Sequence, residues 1–285
     1  MNALKRLMNS IIFQTDSDSE FESVTEDKHS ESDTVMEPQY GISRLLCNLY
    51  LDNNSSLHLD TESEISIISD SISTERKHIP RIVSVEGNIG AGKSTLIEEL
   101  QQIYMDDRRF LFLLEPVNQW ENVKDKHGNN MLQKYYDNPK KYAFAFQIMA
   151  FQTRLQLLKD ALEYIDDEVT TIIMERSLDA DYHIFAKMLF AEGLMEDVEF
   201  QIYLQMATDA LKEYGVDGMI WLDTDYEECF KRVEKRSRDG EGKIGLDYLR
   251  KCQEFHVEWL GADTGFVCRI DGMNIDFDKI DNYIC

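Results

Sequence analysis

From Ile79 onward, apolar residues arrive in two alternating textures, short β-rich runs and longer stretches with helical spacing. The short runs are RIVSVE (81–86), FLFLLE (110–115), TIIME (171–175), MIWLD (219–223) and FVCRI (266–270), and they predict five strands. Residues 87–104 predict a turn that opens into a helix, and Pro139 to about Ile165 a long, aromatic-rich helix. Asp179 to about Tyr214 reads as one or two helices, Asp225–Arg238 as a helix with a basic end, and Lys243–Leu260 as another. Strands alternating with helices predict an α/β fold, a doubly wound five-stranded parallel sheet with helices on both faces. No internal repeat breaks this order.

Residues 1–78 have a different character. They hold fourteen of the eighteen serines but one of the fourteen glycines. They carry 15 acidic and 6 basic residues, a net −9, which leaves −15 of the chain's −24 to the remainder. Stretches such as 16–33 are polar and aperiodic, too poor in apolar surface to offset chain entropy, so 1–78 is expected to be a disordered, acidic, Ser-rich tail. Two apolar islands, Leu4–Phe13 and Ile42–Leu51, interrupt it. Lys5 and Arg6 hint at a transit peptide, and the acidic run behind them argues against one. A single domain is expected over 79–285.

Charge and cysteine usage narrow the function. Lys+Arg number 30 against 54 Asp+Glu, which weighs against a nucleic-acid binder, because backbone affinity comes from cations displacing counterions. No apolar run approaches the ~20 residues of a spanning helix, so no membrane role is expected. Five scattered cysteines without a CxxC pair read as reduced thiols, consistent with a cytoplasmic protein.

Gly87-Asn88-Ile89-Gly90-Ala91-Gly92-Lys93-Ser94 matches G-x4-G-K-[ST], and Thr95 follows it. Glycines let the backbone curl so that successive N–H groups face phosphate oxygens, and the following helix adds its positive end. Lys93 would reach the β- and γ-phosphates, and the Ser94 hydroxyl would ligate Mg²⁺. A strand before the motif and a helix after it are the context that a phosphate loop requires. With no further ATPase-like domain in a chain of this size, a small-molecule kinase is favoured.

Ligands in such sheets bind beyond the carboxyl ends of the strands. Strand two ends in Glu115-Pro116-Val117-Asn118-Gln119-Trp120, and strand three in Glu175-Arg176-Ser177. A carboxylate at 115 could accept a proton from an acceptor hydroxyl. An acid at 175 could assist Mg²⁺, and an arginine at 176 could neutralise phosphate charge. Taken singly, each is equally a solvated strand terminus or a salt bridge. Arg232 and Arg236 lie one helical turn apart, with Arg238 just beyond. They read either as a lid over phosphates or as an ordinary basic helix end. The aromatics of 142–151 read as core, with Gln147 a satisfied polar group among them.

EGNIGAGKST, EPVNQW, FAFQ, ERSLDADYHIFA and KRVEKRSRDGEGKIGLDYL, in that order and at similar separations, resemble the deoxynucleoside kinase family. The resemblance spans 79–285, is strongest to the members acting on deoxycytidine, deoxyadenosine and deoxyguanosine, and implies a P-loop kinase fold. It implies transfer of the γ-phosphate of ATP, or of another nucleoside triphosphate, to the 5′-hydroxyl of a deoxynucleoside in nucleotide salvage. By the same resemblance Glu115 would be the base, Arg176 would hold Glu115 and the acceptor end, and Lys93 would be catalytic. Ser94 and Glu175 would place Mg²⁺, and Arg232, Arg236 and Arg238 would form the lid. Tyr136 and Glu241 would bind the 3′-hydroxyl, Gln147 would read the base edge, and Trp120, Phe146 and Phe185 would enclose the base. Asp276 and Phe277 would lie in the loop that touches the donor base. Arg154 and Asp181 match a pair used near the base by members preferring deoxycytidine or purines. A homodimer is implied through the 139–165 and 179–214 helices, whose apolar surface exceeds what one sheet face covers.

Two other readings compete. A nucleoside monophosphate kinase of thymidylate-kinase type would carry a motif resembling EPGGT after strand two, where this chain has EPVNQW. A non-catalytic P-loop partner subunit would lack some of the catalytic groups, and all the expected ones are present.

Overall fold

The computed structural model describes residues 79–236, 241–262 and 265–285. The expectations for the tail and its two islands lie outside these residues. The described chain opens with β1 (Arg81–Glu86), α1 (Lys93–Ile103), β2 (Phe110–Leu113), α2 (Val117–Asn122), α3 (Met131–Asp137) and α4 (Pro139–Tyr164). Next come β3 (Thr171–Glu175), the short α5 (Leu178–Ala180), a π-helical turn at Asp181–Ala186, α6 (Lys187–Ala191) and α7 (Asp197–Glu213). It ends with β4 (Gly218–Asp223), α8 (Tyr226–Arg236), a 3₁₀ turn at Glu241–Lys243, α9 (Leu246–Leu260), β5 (Val267–Asp271) and α10 (Phe277–Ile284).

All five strands pair in parallel, in the order β2-β3-β1-β4-β5. The two-residue pleat divides their side chains between two cores. Val83, Val85, Ile173, Ile220 and Leu222 face Leu96, Ile97 and Leu100 of α1, Val233 of α8 and Leu249 of α9. Ile82, Ile172, Met174, Met219 and Trp221 face Leu158 of α4 and Leu260 at the end of α9. Both faces are therefore covered, as the alternation of strands and helices predicts. Each fully buried Leu or Ile contributes about 1.5–3 kcal/mol.

Element boundaries shift where the backbone turns toward the site. β2 ends at Leu113 rather than Glu115, and Leu114 is exposed as the chain leaves the sheet. The 179–214 stretch breaks at Gly193, which takes φ 64°, and α7 restarts on a capping box of Glu196 and Glu199. Short helices also occupy 117–122, 131–137 and 277–284, too brief to show a long period. Their starts do carry local chemistry. Asn130 and Gln133 form a capping box for α3, and Asp276 caps α10 by accepting from Lys279 N at 2.9 Å.

Candidate active site

The phosphate loop sits between β1 and α1, at the carboxyl edge of the sheet. Gly87, Gly90 and Gly92 all take positive φ. At two of them a side chain is also excluded by space, since a Cβ on Gly87 would lie 2.6 Å from the Leu222 carbonyl oxygen and one on Gly90 2.5 Å from that of Cys229. The loop is pinned from behind. Asn88 Nδ2 donates to Leu249 O at 2.8 Å while its Oδ1 accepts from Ile89 N at 2.8 Å. Asn88 thus shapes the loop from a buried position, away from the cavity. Ala91 O accepts from Thr224 Oγ1 at 3.0 Å and from Arg232 Nη1 at 2.9 Å. Lys93 is buried and donates to Asn88 O at 2.8 Å. Burial first, and Arg176 second, bring its ammonium down to about 8 against the pull of Glu175, Glu115 and Glu86.

β3 lies beside β1 with Val85 opposite Glu175, so the acids at the strand ends meet the loop. Ser94 Oγ donates to Glu175 Oε1 at 2.8 Å, and the other oxygen, Oε2, accepts from Glu115 N at 3.3 Å. This brings together the two side chains read as metal-placing. Glu115 Oε1 meets Arg154 Nη2 at 2.5 Å and Arg176 Nε at 3.5 Å. Burial pushes the Glu115 carboxyl up, but Arg154, Arg176 and Lys93 outweigh it and hold the group below the usual carboxylate range. Arg176 takes φ 62°, the one non-glycine residue with positive φ among the described residues. Its guanidinium lies 4.9 Å from the Phe185 ring centroid.

A cavity of about 650 Å³ runs from this edge between α4 and the π-helical turn, within the size range of small-molecule sites. The wide π turn puts Asp181 and Phe185 together on its wall. Phe146 stacks on Tyr135 with centroids 4.7 Å apart and meets Trp120 edge-on at 5.5 Å. Trp120 Nε1 donates to Thr153 Oγ1 at 2.9 Å. Gln147 is buried, and its Nε2 donates to Asp181 O at 3.1 Å. Arg154 is forked, with Nη1 on the Asp181 carboxylate and Nη2 on Glu115. One guanidinium therefore joins Glu115 to Asp181 on the cavity lining, a link that the sequence reading, which paired Arg154 with Asp181 alone, did not contain.

Tyr136, Arg232 and Arg236 also line the cavity. Arg232 is tied into the scaffold, donating to Ala91 O, to Gly272 O at 3.3 Å and to Glu228 Oε1 at 3.1 Å. Asp276 and Phe277 do not join the cavity. Asp276 caps α10, and Phe277 packs against the core cluster of α1 and α9. Arg238 and the side chain of Glu241 lie outside the described residues. The sequence reading passed over Tyr135, Tyr248, Asn118 and Leu132, all in the lining. The Tyr135 and Tyr248 hydroxyls are 3.3 Å apart, a pairing across 113 residues that no local spacing announces. No helix among the described residues is long and apolar enough to cross a membrane.

Comparison with known proteins places the chain among relatives. The family model described as deoxynucleoside kinase matches residues 83–283. A Fowlpox virus protein named probable deoxycytidine kinase is 35% identical over 69% of this chain and 78% of its own length. Human deoxycytidine kinase is 34% identical, covering 70% of this chain and 82% of its own. The mitochondrial deoxyguanosine kinase of Xenopus laevis is 30% identical, covering 69% and 79% respectively.

Proposed function

Because the chain belongs to the deoxynucleoside kinase family and phosphorylates nucleosides from a nucleoside triphosphate donor, we propose that its acceptor is deoxycytidine or a deoxypurine, phosphorylated on the 5′-hydroxyl. The Arg154 fork supports this most directly. It holds Asp181 and Glu115 in one buried cluster beside Gln147. A buried ionic wall is expensive to desolvate. It suits a base edge that offers donors and acceptors, and it disfavours the thymine methyl. The names of the relatives, deoxycytidine and deoxyguanosine kinases, point the same way.

Phosphoryl transfer asks a protein mainly for positioning and charge stabilisation. In this reading Glu115 takes the 5′-hydroxyl proton, and its depressed carboxyl keeps it ionised for that task. Arg176 aligns Glu115. Lys93 and the loop amides hold the donor phosphates, with Arg232 and Arg236 beside them. Magnesium fits the donor set at Ser94 and Glu175, hard oxygens 2.8 Å apart at the phosphate loop. Once bound there it would neutralise phosphate charge. ATP is the simplest donor, with other triphosphates open to it.

We further propose that 79–285 is the catalytic unit, that it works in the cytoplasm and that it pairs as a homodimer. The free cysteines at 229, 252, 268 and 285 favour a reducing compartment. Val198 and Ile202, one turn apart on α7, are 66% and 47% exposed and support a partner on that helix. Light scattering at micromolar concentration that finds only monomer refutes the pairing. Phosphorylation assays of the purified chain with deoxycytidine, deoxyadenosine, deoxyguanosine and thymidine, each with ATP and with UTP, test the acceptor and the donor. A preference for thymidine overturns the acceptor assignment.

A further inference from the structure

Glu86, the last residue of β1, is fully buried, yet it does not line the cavity and the proposed chemistry does not use it. A carboxylate withdrawn from water is costly unless it is hydrogen-bonded, so its partner deserves a physical explanation. One oxygen accepts from Ser177 N at 2.8 Å, and the other has no partner. Val85 pairs with Glu175, which places Glu86 across from the turn that follows β3. In that turn Arg176 holds φ 62° while its own N donates to Val85 O at 3.1 Å. Such a conformation costs an ordinary residue ~1–3 kcal/mol and persists only where its surroundings enforce it. Two consecutive amides, of Arg176 and Ser177, are thus gripped by two consecutive residues of β1. The grip sets the direction of the Arg176 side chain, whose Nε lies 3.5 Å from Glu115 Oε1.

We propose that Glu86 is a positioning residue, whose buried carboxylate locks the Arg176–Ser177 turn and thereby aims Arg176 at Glu115. It touches neither substrate nor phosphate; it positions through Arg176, while its charge also bears on Lys93 and Arg154. The proposal rests on the reading of Glu115 as base. The charged groups around Glu115 are Arg154 from α4, Arg176 from the turn and Lys93 from α1, with Glu175 bonded to its amide. Of these, Arg176 is the one that Glu86 can reach through the turn.

The test uses the full-length protein with deoxycytidine and MgATP and reads kcat against nucleoside KM. Glu86→Ala releases the turn. Because a misplacement of ~1 Å can cost ~10²-fold, kcat is expected to fall by about that factor while nucleoside KM stays within a few-fold of wild type, since Glu86 does not line the cavity. Glu86→Gln keeps an acceptor for Ser177 N and should retain most of the rate although its charge is gone. In an Arg176→Met background, Glu86→Ala should lower kcat no further than Glu86→Gln does there. Should Glu86→Ala fail to fold, Glu86→Asp, which draws the carboxylate back by one methylene, should lower kcat by less, again with KM held. A folded Glu86→Ala or Glu86→Asp enzyme with wild-type kcat overturns the proposal, as do a Glu86→Gln enzyme as slow as Glu86→Ala and a full effect in the Arg176→Met background. Failure of all three Glu86 variants to fold also overturns it, since Glu86 would then serve the fold. If instead Glu115 is not the base, Glu115→Gln keeps kcat near that of wild type, which separates that failure from this one.

Discussion

Replacing Glu115 by Gln is the sharpest single perturbation of the site. The carboxylate is 17% exposed, 2.5 Å from Arg154 and 3.5 Å from Arg176. Gln keeps the shape and one acceptor oxygen but removes the basic group. General-base catalysis contributes ~10²–10⁴-fold, so kcat should fall within that range. Nucleoside KM should stay within a few-fold of wild type, because the amide can still receive the 5′-hydroxyl. Stability should fall by less than a full broken ion pair would cost. Breaking a buried ion pair outright costs ~3–5 kcal/mol, but here Arg154 keeps Asp181 and the amide oxygen still accepts. The loss is then nearer the difference between a charged and a neutral hydrogen bond, ~1–2 kcal/mol. In a domain of this size that lowers Tm by ~2–8 °C. Initial rates over a range of nucleoside concentrations, with a thermal melt on the same sample, measure both. The folded-state carboxyl is depressed, so it adds stability above its unfolded value that is lost as pH falls through the folded one. The variant should therefore lose less stability than wild type between those two values. A KM that rises while kcat holds would make Glu115 a binding residue and refute its role as base.

Three further outcomes follow from the same geometry. Lys93, brought down to about 8, should give kcat/KM for the donor a basic limb near that pH, and bound phosphates should push the limb in kcat higher; identical limbs in the two profiles would show that Lys93 does not meet the phosphates. The double variant Arg154→Met with Asp181→Ala should shift the kcat/KM ratio toward thymidine, but it also strips Glu115 of its nearest cation, so absolute kcat should drop about ten- to a hundredfold for every acceptor; an unmoved ratio means the pair does not set specificity. Deleting residues 1–78 should leave kcat/KM within tenfold of the full chain, and a larger loss, above ~1.4 kcal/mol, would mean that the tail contacts the catalytic unit.

What the chain declares locally, it declares well. Five apolar runs and the amphipathic stretches between them predict a parallel α/β sheet, because burial on two faces leaves a pattern only a few residues long. The spacing of Gly87, Gly90, Gly92 and Lys93 identifies a phosphate loop because the curl of that loop is itself local. The acids at the ends of β2 and β3 were legible for the same reason, once the strands were placed. Only tertiary structure orders the strands β2-β3-β1-β4-β5, and that order brings the loop beside Glu175. The π turn that sets Asp181 with Phe185 has no sequence period to betray it, and Asp276 and Phe277 stay out of the cavity because α10 takes them as cap and core. Arg154 meets Glu115 across 39 residues and Glu86 meets Ser177 across 91. Such contacts are decided by how the strands and helices pack, and a hydrogen bond between residues so far apart leaves no spacing in the sequence from which it could be read.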